Sequence, residues 1–164
     1  MAKLFLTLHV LVAVLAIGPV TVAASLFPGR ARRTLQGWSD QGPEARLLHR
    51  VTRVYASIGT AIPLLGVLTA VAMGVMRDPW VITSLVLTAV AAALLLARIL
   101  PGQEEILAIL NEDGRHTPPG TQPQPSAHGD AGPVLRMLST TTGVFSLLWT
   151  IVLVLMIVRP GSST

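Results

Sequence analysis

The chain has 164 residues, no cysteine, a net charge of +4, and is 51% hydrophobic but only 12% charged. Soluble domains carry about 25% charged residues, so a mean hydropathy of +0.64 excludes an ordinary soluble domain. The lack of cysteine excludes disulfides, thiolate metal sites and cysteine nucleophiles. An isoelectric point near 11.1 points to anionic lipid and not to nucleic acid, because the basic residues are few and flank apolar runs.

Runs of about 20 apolar residues cross a hydrocarbon core about 30 Å thick, and they do so as helices because lipid offers the backbone no partners. The first such run covers residues 4–27, with Pro28-Gly29 expected to end it. It carries Pro19 and one ionisable group, His9. Val22-Ala23-Ala24 resembles a signal-peptide cleavage site. Cleavage there would carry the Arg30, Arg32, Arg33 cluster outside, so the span is expected to be retained.

Residues 28–53 form a basic segment. A helix is expected to start near Pro43, which suits a first turn, and to run without a break into the second span. Arg46, His49, Arg50 and Arg53 recur at i, i+3, i+4 and i+7, which places them on one face. With Arg30, Arg32 and Arg33 they read first as an anchor for anionic headgroups, worth about 1 kcal/mol per basic residue. A docking stripe for an acidic partner surface is the alternative.

The second span, residues 54–76, and the third, residues 80–100, are joined only by Arg77-Asp78-Pro79, which demands a tight antiparallel hairpin. Pro63 should bend the second span. Prolines in the first two spans are also compatible with a hinge, or with an opening that admits a lipid or small ligand. Beyond Pro101-Gly102, residues 103–111 are amphipathic, and either lie on the membrane surface or continue the third helix with a kink. Glu104 or Glu105 is expected within pairing distance of Arg46, Arg50, Arg53 or Arg98. Residues 112–133 are rich in Pro, Gly and Gln without periodicity, a flexible linker by composition. The fourth span covers residues 134–158.

Nine basic residues fall on the side of the two longer loops, and three (Lys3, Arg77, Arg159) on the side of the termini and the hairpin. The positive-inside rule then places both termini outside and the longer loops in the cytoplasm. Arginine outnumbers lysine eleven to one and Asn111 is the single asparagine, a composition fitting a bacterial genome rich in G and C. Helices associate in lipid through small residues. Gly66, Ala70 and Gly74 in the second span, Ala89, Ala93 and Ala97 in the third, and Gly143 in the fourth mark the expected packing faces. The expected fold is therefore all-α: a single-domain, polytopic membrane four-helix bundle.

His9 raises the question of a cofactor. A haem between two histidines needs both imidazoles at one depth. His9 and His49 lie near opposite ends of their spans, more than about 20 Å apart at 1.5 Å per residue. His116 and His128 fall in the linker. A soft site for Cu(I) would need Met73 or Met76 beside His9. The simplest reading is a neutral imidazole bonded to backbone or to a hydroxyl such as that of Thr7, Thr69 or Thr150. No metalloprotease, phosphate-loop or serine-hydrolase motif is present, so neither enzymatic activity nor a cofactor is expected.

The opening KLFLTLHVLVAVLAIGP, with Leu8-His9-Val10-Leu11, resembles the start of small bacterial predicted integral membrane proteins that carry Leu-His-(Val/Ile)-Leu early in the first helix. It is more distantly similar to the copper-resistance D membrane family. The likeness covers roughly the first 30 residues and the four-span layout. Where those families often follow the histidine with Trp-x-Gly-Gly, this chain has Ala16-Ile17-Gly18-Pro19.

The expected role is an accessory or assembly subunit of a larger membrane complex, with anionic lipids at its cytoplasmic face. The alternatives are a lipid or metal carrier using His9 with Met73 or Met76, and a haem-binding redox protein.

Overall fold

The computed structural model describes residues 2–36, 42–116 and 131–160. Within them the chain is helical: α1 (Ala2–Leu35), α2 (Gly42–Gly59), α3 (Ala61–Met73), α4 (Pro79–Leu94), α5 (Leu100–His116) and α6 (Ala131–Val158), with a π-helical turn over Leu95–Ile99. Four continuous units are long and apolar enough to cross a membrane: Ala2–Leu35, Pro43–Met73, Pro79–Glu112 and Ala131–Val158. Only 22–28% of each apolar window is buried, so most of every span faces outward, as a bundle solvated by hydrocarbon requires. The chain is an all-α, multi-pass four-helix membrane bundle.

The helices run antiparallel in register. His9 of α1 meets Gly66 of α3, and Arg30 at the other end of α1 meets Glu44 of α2 at 3.3 Å. Gly102 of α5 lies against Leu138 of α6, and the Arg159 guanidinium sits 5.7 Å from the ring centre of Trp80. The start of α1, the α3–α4 turn and the end of α6 therefore share one end, here the hairpin end. The arginine-rich segments share the other.

The hairpin is built from local chemistry. Gly74 adopts φ 72° and closes α3. Its N–H bonds to Val71 and that of Val75 to Ala70, a Schellman closure that favours glycine. Asp78 then opens α4 with Pro79 in the first turn, and its carboxylate accepts from the Trp80 indole at 3.1 Å. Gly74 is exposed; it ends the helix instead of extending the packing row of Gly66 and Ala70.

Three helix limits differ from the sequence reading. First, α1 does not stop at Pro28-Gly29 but runs to Leu35 with Pro28 buried inside it. Phe27 and Ala31 are wholly buried against Ala45 and Ile106. Close packing of these side chains offsets part of the roughly 3 kcal/mol cost of an internal proline. Second, the unit from Pro43 runs on to Met73, but its regular hydrogen bonding is interrupted at Thr60, where the backbone stays helical. Pro63 has no N–H for the Gly59 carbonyl, so the ladder loosens there. Residues 103–111 take the second of their two expected placements and continue the third helix through the π turn, where the Leu100 N–H bonds to Leu95. Pro101 offers no N–H to the Ala97 carbonyl, and a one-residue widening accommodates its ring. Third, helix α5 includes residues 112–116, and α6 starts at Ala131, so the linker is shorter than its composition implied. Residues 117–130, with His128, lie outside the described residues.

Two buried clusters hold the bundle. One, at the arginine-rich end, gathers Phe27, Ala31, Ala45, Ile106, Leu135 and Leu138. The other, at mid-span, gathers Val20, Ala24, Ala56, Ala91, Ile99 and Phe145. The α4 residues turned inward are Ser84, Thr88 and Ala91. The expected packing row Ala89, Ala93 and Ala97 is exposed, as is Gly143 of α6. A small-residue repeat marks a face suited to close approach; neighbouring contacts decide which face turns inward, and here the adjacent row does.

At Gly102 a Cβ would stand 2.9 Å from Leu138 Cδ2, so the α5–α6 crossing needs this glycine. Gly102→Ala should destabilise the protein by about 1–3 kcal/mol. Gly29→Ala, at a helical position with nothing within 4 Å, should be neutral or stabilising by up to about 1 kcal/mol. Thermal unfolding in detergent, followed by helical circular dichroism, distinguishes the two.

Candidate functional site

Three places combine buried polar groups with space or charge. The first surrounds His9. This side chain is buried, on the inner face of α1 with Ala16 and Val20. The Cε1 edge of its ring abuts Gly66, where an added Cβ would come within 3.2 Å of Cε1. The Ile62 backbone carbonyl lies beside the imidazole. Nδ1 stays buried without a hydrogen-bond partner. Each candidate hydroxyl is engaged in its own helix: Thr7 donates to Lys3, Thr69 to Leu65, and Thr150 to Ser146.

Met73 ends α3 seven positions beyond Gly66, about 10 Å further along the axis, and Met76 lies in the turn that follows. Among the described residues no group of three or more His, Cys, Asp or Glu gathers to hold a metal ion. The copper reading gains no support from this arrangement. Gly66 is thus the partner of His9, a role beyond the helix contact its spacing implied.

The second place is a polar seam between α2 and α5. Gln103 is fully buried. Its Oε1 lies 3.1 Å from His49 Nδ1, while its Nε2 has no partner. His49 Nε2 is 3.8 Å from Glu104, and Arg46 donates to Asn111 at 2.6 Å. The stripe member that Glu104 meets is therefore His49, one helical step from the arginines expected to receive it. Arg32, Arg33, Arg46, Arg50 and Arg53 are exposed, and Arg30 is half-buried beside Glu44. Such exposed pairs contribute at most about 1 kcal/mol each, so the seam fixes the register of α5 on α2 more than it stabilises it. Gln103 is the residue that sequence reasoning passed over. Its signal was its position at i−3 and i−7 to Ile106 and Leu110, both buried.

The third place is an apolar cavity of about 120 Å³ at mid-span. Its walls include Ala16 of α1, Tyr55 and Gly59 of α2, Pro63 of α3, Thr88 of α4 and Trp149 of α6. The interruption at Thr60 and the π turn at Leu95 and Leu96 both border it. Trp149 is set edge-on to Phe145, with ring centres 6.3 Å apart and planes at 72°. The Trp149 indole Nε1 is buried without a partner.

No family model, curated protein or solved structure matches the chain. The geometry itself therefore carries the functional argument. Neither the His9 pocket nor the seam joins a nucleophile to a base. What the three places offer is binding: an enclosed imidazole, a basic rim and a lipophilic cavity.

The His9–Gly66 contact is open to a double-mutant cycle. Gly66→Ala should cost about 1 kcal/mol, because the ring must shift off the added methyl. In a His9→Ala background the same change should cost nothing measurable, giving a coupling energy of about 0.5–1 kcal/mol. Unfolding midpoints of the four proteins in one detergent give the answer; additive costs would show that the contact carries no energy.

Proposed function

We propose that this is a non-enzymatic, multi-pass protein of a bacterial inner membrane that serves as an accessory or assembly subunit of a larger membrane complex. The observation that supports this most is the exposed row of Ala89 and Ala93 on α4, with Ala97 exposed in the π-helical turn that follows. Small residues at i, i+4 spacing let a second helix approach closely in lipid, where dispersion and weak hydrogen bonds drive association. Within the bundle this row has no such use, because Ser84, Thr88 and Ala91 make the internal contacts. Gly143 is exposed on α6.

The basic end complements this reading. The exposed Arg32, Arg33, Arg46, Arg50 and Arg53 form a cationic collar suited to anionic headgroups or an acidic partner surface. With the collar in the cytoplasm, both termini and the hairpin lie outside.

Native purification in a mild detergent tests the proposal. A second protein should co-purify at fixed stoichiometry, and Ala93→Ile, which fills the row, should lower its recovery by tenfold or more without altering the helical spectrum. A chain that purifies alone from its native membrane, with no loss on substitution, would refute the subunit role.

A further inference from the structure

The helical units are longer than a membrane is thick. Ala2–Leu35 and Pro79–Glu112 have 34 residues each, about 51 Å at 1.5 Å per residue, against a hydrocarbon core of about 30 Å. Part of the bundle therefore stands outside the hydrocarbon, and side-chain exposure shows which part. Large apolar side chains are exposed along α1 from Leu4 to Val22, along α2 and α3 from Val54 to Val71, along α4 and the π turn from Ile82 to Leu96, and along α6 from Val144 to Val158. These limits coincide in space. The contact of Gly102 with Leu138 sets Leu96 level with Val144, each six residues from its contact residue. The contacts of His9 with Gly66 and of Arg30 with Glu44 set Val54 level with residues 20–21 of α1. On α1 the belt is about 27 Å long. Trp80 beside Arg159 marks its other edge, as aromatic residues do at membrane interfaces.

Beyond Val54, Leu96 and Val144 the surface changes character. Helix α5 exposes Glu104, Glu105 and Asn111, and α6 before Val144 exposes Arg136, Ser139 and Thr140. Among the described residues on that side only Leu26 and Leu47 are large, apolar and exposed. Isolated residues of that kind are ordinary on surfaces that face water.

Depth then sorts the basic residues. Arg53, Arg98 and Arg50 lie one, two and four residues beyond the belt, within about 6 Å of it. That is the headgroup layer, about 5–7 Å deep in each leaflet. All three are exposed and, among the described residues, none has an ion pair or a side-chain hydrogen bond. Arg46 lies eight residues beyond the belt, and Arg32 and Arg33 ten and eleven beyond Val22, about 12–16 Å out. The bond of Arg46 to Asn111 draws its guanidinium further from the membrane. A free guanidinium takes phosphate oxygens two at a time. It favours lipids whose phosphate charge is not offset by an ammonium group of their own.

We infer that the hydrocarbon ends on this side at Val54, Leu96 and Val144, and that Arg50, Arg53 and Arg98 bind the phosphates of anionic phospholipids, while Arg32, Arg33 and Arg46 stand in water beyond their reach. This rests on the reading of the collar as a surface for anionic groups; it narrows the lipid contact to two of the collar's members and adds Arg98.

The chain has no cysteine, so single cysteines in the intact protein report depth directly. In nanodiscs of phosphatidylethanolamine and phosphatidylglycerol, a charged maleimide should modify Ser139→Cys and Leu47→Cys at least tenfold faster than Leu147→Cys and Ile58→Cys. Equally slow modification of all four would overturn the boundary. The lipid contact is tested with spin-labelled phosphatidylglycerol and phosphatidylcholine as probes, in phosphatidylcholine vesicles holding the protein. Phosphatidylglycerol should be preferred at the protein surface at least threefold. Arg50→Gln, Arg53→Gln and Arg98→Gln together should bring the two probes to equal affinity, whereas Arg32→Gln with Arg33→Gln should leave the preference unchanged. If the triple variant fails to assemble, Arg53→Gln and Arg98→Gln singly should each lower it. The reverse pattern would overturn the assignment and leave the collar reading standing. No preference in the unaltered protein would overturn both.

Discussion

In hydrocarbon, a carbonyl that loses its helical donor has no water to replace it, and unsatisfied groups cost several kcal/mol each. This chain removes four such donors inside its long helical units, at Pro19, Pro28, Pro63 and Pro101. The responses differ and set the shape of the bundle. Helix α1 carries Pro19 and Pro28 without a break, and burial of Phe27 and Ala31 holds the second of these in place. The regular hydrogen bonding of the second unit is interrupted at Thr60, and the third widens into a π turn at Leu95–Ile99. Because the interruption and the π turn border one cavity, the backbone's own deficits define the most distinctive space in the protein.

Much of this was legible in the sequence. Apolar runs set the four units, the three-residue connection between the second and third spans set the hairpin, and Pro63 announced a bend. Helix ends were less legible. Pro28-Gly29 reads as a stop by local rules, yet Phe27 and Ala31 find Ala45 and Ile106, residues distant in sequence. Composition likewise marked residues 112–116 as linker, although they extend α5. The choice of inner face was the least legible. A transmembrane helix is apolar on all sides, so periodicity ranks its faces poorly. The repeat of Ala89, Ala93 and Ala97 looked like an internal seam, whereas Ser84, Thr88 and Ala91 occupy it.

The candidate sites divide in the same way. His9 stood out because it is alone among apolar residues, but its partners, Gly66 and the Ile62 carbonyl, are a missing side chain and a backbone atom, which residue-type reasoning does not weigh. The basic stripe was legible as a face, and its three arginines, Arg46, Arg50 and Arg53, are all exposed. Its contact to α5 runs through Arg46, His49 and the buried Gln103. The cavity could be anticipated only as an opening near a proline. Its position depends on which five helices meet there.

The polar seam and the buried cluster at the arginine-rich end also have a mechanical consequence. They tie α1, α2, α5 and α6 together on one side of the mid-span irregularities. On the other side, α3 and α4 are joined by a five-residue turn, residues 74–78. The two halves of the bundle are thus held differently: polar and aromatic side chains lock the arginine-rich end, whereas α3 and α4 are held at the other by packing along α1 and α6.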